Sequence, residues 1–542
     1  MKRAISTVVH TVGTRVRLFV FFVDSSGVLN FSYTTDVDKN RPVFQPYTKV
    51  TLGVPLLGQP AVCLDAANNI HVFCRTAASG ATDNVIYHGY IPAAADTPAF
   101  NSWNAISELL CWADPAAALN PATGLVEVWI KVFGGVLYVM AQGRTANGKP
   151  DPAGFNGIWQ PVPGAVDPNS GLDVVVGWGL PVVLGADGKY AFTQQEMVVS
   201  RPIQQNAVSF LQVVTGAWGY VGDVSTTPSV LGTPATVVDP TNDCPIVMFT
   251  DGNAVYCTEE ATSPTNGLLA WTPWQACRLY KPQFIKPNGD VAAATAARSV
   301  GSGALYYLAT AVCVQDTSPT TYITNDGFLY GYAVISAINL TGEPIEMQTG
   351  VFTRPHTGSY ERLPFGSAPT LVAPGTKGRL FAFALDNAGN NALCFVGDVN
   401  GARLGRGTTI GDYTKNRKGD AFDAVPLKDD LNSAEAEAAN ASIGQTWSAA
   451  KTVSKVVLTA PHDNGYFVKG GASATILVQG SNDGTAWTTL ATVTDPNSAV
   501  CGAVVLIDSE QGLDRSKAYT SHRVQVQGGV GTRYWAAVDF FE

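Results

Sequence analysis

The chain has 542 residues, too many for one ordinary hydrophobic core, so either two domains or one large closed repeat with a smaller partner is expected. Only 14% of the residues are charged, where soluble domains usually carry about 25%, and the net charge is −9. That balance excludes electrostatic attraction to nucleic acid or to an anionic membrane, and no Lys/Arg-rich tract restores it.

The N-terminal stretch after Met1-Lys2-Arg3 is interrupted by His10, Arg15 and Arg17, so it is not expected to act as a secretory leader. No apolar run reaches the roughly 18 residues of a membrane span, and no membrane insertion is expected. From here on the chain reads as short β-type segments. Seven of them open on an aromatic residue followed, three places on, by Val, Ile, Leu or Cys: Tyr47, Trp103, Trp159, Trp218, Trp274, Tyr360 and Phe422. The intervals are 56, 56, 59, 56, 86 and 62 residues. A period above about 40 residues built from β-type sequence is the mark of a β-propeller. The expected fold class is therefore all-β, a seven-bladed β-propeller over residues 1–428.

Each repeat spells four strands, the aromatic segment first. Beginning at Tyr47 come YTKVTL, PAVCLD, IHVFCRT and NVIYHGY; beginning at Trp103 come WNAIS, PAAALN, VEVWIKV and VLYVMAQ. Second strands open on Pro60, Pro115, Pro181, Pro234 and Pro369, where a missing N–H costs no ladder bond. A two-residue turn at Asn68-Asn69 places Cys63 opposite Cys74, and one at Asp251-Gly252 places Cys257 opposite Ile246. The nine cysteines are odd in number, lack metal-type spacing and read mainly as small buried hydrophobes. The first repeat has no aromatic opener, and Phe422 is an opener with no strands behind it. A strand near 420–427 is thus expected to complete the first blade and close the ring. Aromatic openers that recur in every repeat are expected to pack between blades.

After the charged stretch KDDLNSAEAEAANAS the vocabulary changes. The strand Gln479-Gly480-Ser481-Asn482-Asp483-Gly484 followed by Trp487 and Leu490, the apolar strand Lys455 to Leu458, and the closing segments Tyr519 to Val526 and AAVDFF resemble the discoidin family (factor V/VIII type C, galactose-binding-like). The resemblance implies a jelly-roll β-sandwich over 432–542, a fold that commonly binds sugars through loops at one end. Asn482-Asp483-Gly484 is expected to be a tight turn with Trp487 packing inward. The loop holding His462, Asp463, Asn464 and Tyr466 offers an aromatic platform and polar groups, which sugar binding needs. The N-terminal repeats resemble lectin-type propellers in their short blades and charge-poor loops.

The six histidines form no HxH, HExxH or Cys/His cluster, so no metal and no cofactor is expected. No catalytic residues are assigned. The expected function is a non-enzymatic carbohydrate-recognition protein of a virus particle, such as a phage tail fibre, baseplate or capsid decoration. Its expected partners are host surface glycans and other virion proteins, with a homo-oligomeric state and no nucleic acid. The alternatives are a purely structural virion protein and a propeller glycoside hydrolase, whose two carboxylates sequence cannot exclude.

Overall fold

The computed structural model describes residues 2–39, 42–77, 84–166, 172–178, 183–184, 190–191, 194–200, 207–212, 217–221, 227–239, 244–262, 269–277, 285–300, 303–316, 328–334, 347–350, 366–374, 378–398, 404, 406–412, 421–422, 434–438, 440–460, 467–468, 474–494, 504–528, 532–535 and 537–541. The architecture is all-β. Among the described residues seven antiparallel sheets of three to five strands follow one another, with innermost strands Ile5–Val12, Leu56–Leu64, Ala116–Asn120, Asp173–Trp178, Leu231–Val238, Ile285–Val300 and Thr370–Val372. A separate pair, Val183–Leu184 with Tyr190–Ala191, lies within the span of the fourth. Each inner strand leads outward through a meander.

Why these sheets pack face to face is visible in their second strands. Arg15–Val23, RVRLFVFFV, is apolar without alternation because both of its faces are covered. Phe19, Phe21 and Val23 meet Leu56, Ile70, Val72 and Cys74 of the second sheet. Leu18, Val20 and Phe22 meet Phe381, Phe383, Leu385 and Val396 of the seventh. The second sheet turns Phe73 to the third, and the third turns Trp129 to the fourth. The fourth and fifth share Phe210, Val247 and Phe249. The sixth inner strand lies against those of the fifth and seventh. Contacts thus run from each sheet to the next, and the first sheet also meets the seventh. Each buried Leu, Phe or Val adds about 1.5–3 kcal/mol relative to an exposed one.

Arg3 ties the inner strands together. Its backbone N–H donates to Asp290 Oδ2 (3.1 Å), and its guanidinium donates to Pro234 O (3.2 Å) and stands 3.9 Å from Asp173 Oδ2. Asp290 Oδ1 accepts the Thr233 N–H (2.8 Å), and Asp173 Oδ2 accepts Thr236 N and Oγ1 (2.7 and 2.9 Å). Arg3 also bridges Ala368, just ahead of the seventh inner strand. One residue thereby joins the first sheet to the fourth, fifth, sixth and seventh.

The aromatic openers sit elsewhere in the sheets than the repeat suggests. Thr48–Val50 and Trp103–Ala105 are the outer strands of the sheets before them, pairing with Leu29–Thr34 and Ile86–Ile91. Gln160–Ala165 and Ala217–Tyr220 do the same. The sequence unit and the sheet are offset by one strand. Packing between sheets does follow: Trp103, Trp159 and Trp274 lie at the first–second, second–third and fourth–fifth seams, and the Tyr47 hydroxyl donates to Ala392 O (3.1 Å) of the seventh sheet. Trp103 lies flat against Gly89, where a Cβ would come within 2.5 Å of the indole. Tyr360 lies outside the described residues.

The first sheet therefore needs no borrowed strand, and the expectation of closure by Phe422 is corrected. Thr48–Val50 already stands as its fourth, outer strand. Phe422 instead packs in the core of the C-terminal unit, its ring 6.4 Å from that of Phe540. Residues 423–430 lie outside the described ones. Leu404 N donates to Phe540 O (2.7 Å), and Thr408–Gly411 pairs with Ser442–Lys451. Residues from Leu404 onward thus contribute to the second unit, earlier than the expected boundary at 428–432.

The C-terminal unit has a five-stranded antiparallel sheet, in the order Thr408–Gly411, Ser442–Lys451, Tyr519–Gln527, Thr475–Ser481, Thr488–Thr494. A three-stranded sheet (Val504–Ile507, Lys455–Thr459, Ala537–Phe541) and a two-stranded pair (Ala434–Ala436, Arg533–Trp535) share its core. Ile443, Val478, Val524 and Val526 from the first layer meet Val456, Leu458, Ile507, Trp535 and Phe540.

The hairpin registers also differ from expectation. Asp65 Oδ1 accepts the Ala67 and Asn69 N–H groups (2.8 Å each) and holds a wider turn, with Asn68 left-handed at φ 65°. Cys63 consequently faces His71, not Cys74. Cys257 faces Met248, because the turn spans Asp251 to Ala254. Among the described residues Cys74, Cys111 and Cys394 carry free thiols.

Replacing Asp290, which is 3% exposed, by Ala leaves the Thr233 and Arg3 amides unmet. We expect a loss of about 2 kcal/mol, read as a lower urea midpoint at unchanged slope. An unchanged midpoint would show that the axial tie contributes nothing.

Candidate functional site

His462, Asp463, Asn464 and Tyr466 lie outside the described residues. Their flank is defined. Phe467 and Val468 are fully buried, Phe467 O accepts the Tyr534 N–H (3.2 Å), and Val468 bridges Arg533. The Arg533 guanidinium in turn bonds Val526 O (3.3 Å) and Gly528 O.

The turn at Asn482-Asp483-Gly484 lies near the start of Tyr519–Gln527, beside the Ser481 and Ser521 pair. Asp483 Oδ1 accepts the Thr485 and Ala486 N–H groups (2.8 Å each) and the Ser481 hydroxyl (2.9 Å). Those bonds, the backbone ones foremost, hold the exposed carboxyl well below the usual carboxylate range. The tight turn is as expected; Trp487 is not. Its indole is only half-buried, and the Arg523 guanidinium lies over it at 4.0 Å from the ring centroid. Arg523 Nε donates to Gln479 Oε1 (2.8 Å), and Gln479 is 7% exposed. An aromatic ring, a fixed amide and a fixed guanidinium are thus grouped on one face.

Strand geometry explains the grouping. In Tyr519–Gln527, YTSHRVQVQ, Val524 and Val526 point into the core, which sends Arg523, Gln525 and Gln527 to the opposite face. Gln525 and Gln527 are joined there (2.9 Å). Opposite Arg523 the facing residue is Gly444, which leaves no side chain to crowd the guanidinium. Arg523 and Gln479 were not singled out from sequence, although this period-two alternation carried the signal. An apolar ring flanked by amide and guanidinium donors can take the C–H face of a sugar and bond its hydroxyls.

A second polar group is wholly internal. His71 Nδ1 lies 3.0 Å from His88 Nε2, and His71 Nε2 lies 3.2 Å from Asp65 Oδ2, with all three side chains buried. Asp65 is an acceptor, so His71 donates to it from Nε2. Burial, with His71 adding to it, pushes His88 down to about 2. Burial alone would raise Asp65, but the bonds from His71 and Asn69 outweigh it and leave the carboxyl low. The group is enclosed by Phe73, Phe155 and Tyr90, so it serves packing rather than chemistry. Among the described residues no cluster of three or more His, Cys, Asp or Glu could hold a metal.

Because His88 is lowered below its unfolded value, the unfolded chain binds the extra proton and stability falls as pH drops below about 6.5. The thermal midpoint should decline between pH 7 and pH 4, by up to about 1.4 kcal/mol per pH unit from this histidine. His88→Gln should flatten that decline; an unaltered slope would refute the assignment.

No family model matches the chain, and no curated protein matches it. Solved structures that it resembles include the CBM32 module of AlyQ in complex with 4,5-unsaturated mannuronic acid (13% identity, 26% of this chain and 98% of that one, TM-score 0.20). Another is a Streptococcus pneumoniae fucose-binding module (11%, 27% of this chain and 97% of that one, TM-score 0.21). Across the whole chain it is similar to an exo-beta-1,3-galactanase from Phanerochaete chrysosporium with galactose (9%, 100% of this chain and 96% of that one, TM-score 0.35). At such scores these likenesses carry no argument, and function is argued from the residues.

Proposed function

We propose that the chain is a non-enzymatic glycan-recognition protein, a seven-bladed β-propeller followed by a jelly-roll β-sandwich. The succession of seven sheets, with the first also against the seventh, supports the first part, and two layers around one core support the second. The observation that carries the function is the Trp487 indole held under Arg523 beside Gln479. His462, Asp463, Asn464 and Tyr466 are proposed as a second contact. Such sites are weak singly and become useful in many copies, which fits an oligomeric adhesion protein. We place it on a virus particle, in a tail fibre, baseplate or capsid decoration; the charge-poor composition of the whole chain supports that placement.

A hydrolase needs two carboxylates poised across a glycosidic bond. Of the axial carboxylates, Asp173 and Asp290 are each engaged by Arg3 and by backbone N–H groups. That engagement favours the binding reading.

The test is a glycan array probed with the full chain. Trp487→Ala should weaken binding at least tenfold, about 1.4 kcal/mol, with the thermal midpoint nearly unchanged. Tyr466→Ala should weaken a separate share of the signal. Release of reducing sugar from a bound polysaccharide would overturn the non-enzymatic reading, and absence from purified virus particles would overturn the placement.

A further inference from the structure

The third sheet exposes two large aromatic rings side by side. Trp112 is 51% and Phe133 77% exposed, with ring centroids 5.4 Å apart at an interplanar angle of 80°. Neither is on a loose segment. The Trp112 N–H donates to Lys131 O (2.7 Å), Cys111 bridges Val132, and the Cys111 N–H donates to Asn84 O (2.8 Å). Phe133 opens a turn whose next two residues, Gly134 and Gly135, both have positive φ. A Cβ on Gly135 would come within 1.9 Å of Val166 O, so only glycine lets the turn present Phe133 as it does.

A polar cluster follows closely on Trp112 in the chain. Arg75 donates to Asn84 Oδ1 (2.9 Å) and to Asp114 Oδ1 (3.2 Å), and Asp114 is two residues from Trp112. The Arg75 and Asp114 side chains are 13% and 26% exposed, so the pair is held in place yet reachable. Asp114 sits where a Cβ on Gly58 would be, which fixes the carboxylate from behind.

We infer that Trp112 and Phe133, with Asp114 and Arg75 beside them, form a second glycan site that takes a neutral hexopyranose. The apolar face of the ring stacks on the Trp112 indole, and Phe133 walls one side. The second oxygen of Asp114 accepts from sugar hydroxyls, and Arg75 donates to them. Arg75 is neutralised by Asp114, so the cluster has no net positive charge with which to select a uronic or sialic acid. Three exposed apolar side chains, counting Leu110, fall far short of the roughly 1,000 Å² that a stable protein interface needs.

The inference rests on the glycan-recognition reading for its choice of probe. The experiment uses the full chain on printed neutral and acidic oligosaccharides, with Trp112→Ala/Phe133→Ala, Asp114→Asn and Trp487→Ala compared with wild type. We expect at least one neutral oligosaccharide whose binding falls tenfold or more in the double variant and in Asp114→Asn but persists in Trp487→Ala. Normal binding of every sugar by the double variant, with loss confined to Trp487→Ala, overturns this site and leaves the general reading intact. Silence of wild type on all sugars overturns both. A lower mass of the double variant by light scattering with unchanged sugar binding identifies the patch as a contact between copies and also overturns the site.

Discussion

The N-terminal region depends on the double-sided burial of strands such as Arg15–Val23. A strand covered on both faces cannot stand at the end of a stack, so the first sheet requires a neighbour on either side. For the first sheet that second neighbour is the seventh. Ile5, Leu18 and Phe22 packed on Phe381 and Phe383 are that contact. Arg3 then joins inner strands from different sheets, which come within hydrogen-bonding reach of one side chain.

Much of this was legible in the sequence, for a physical reason. Inter-sheet seams need a bulky side chain at a fixed place in the repeat, so Trp103 and Trp159 lie one interval apart and Trp274 about two intervals further on. What spacing cannot reveal is the sheet to which a strand bonds. An opener lies between two sheets in sequence, and the turn after Tyr33, where Gln45 N donates back to Tyr33 O (2.9 Å), decides that Thr48–Val50 joins the earlier one. Phe422 misled for the same cause: an aromatic followed by apolar residues suits any core, and Phe540 offered the nearer one.

At the candidate site the limits are similar. The tight turn at Asp483 follows from local chemistry and was readable. The position of Trp487 was not, because it depends on Arg523, which lies 36 residues further on and reaches the indole only through pairing between strands. Period-two alternation put Arg523 on the outer face without saying what it would touch. The wide turn built by Asp65 likewise moved Cys63 away from Cys74, since a side chain, rather than the Asn-Asn pair, set the loop length.

Contact without a shared strand has a mechanical meaning. Most neighbouring sheets are also linked covalently through the chain, whereas the first and seventh meet through side chains, a few hydrogen bonds such as Ser25 to Asn390 (2.6 Å), and the short bridge at Ala368. Tension applied between those two sheets shears one apolar contact rather than a ladder of backbone bonds. That seam is where the first and seventh sheets would part, opening like a clasp while each individual sheet stays whole.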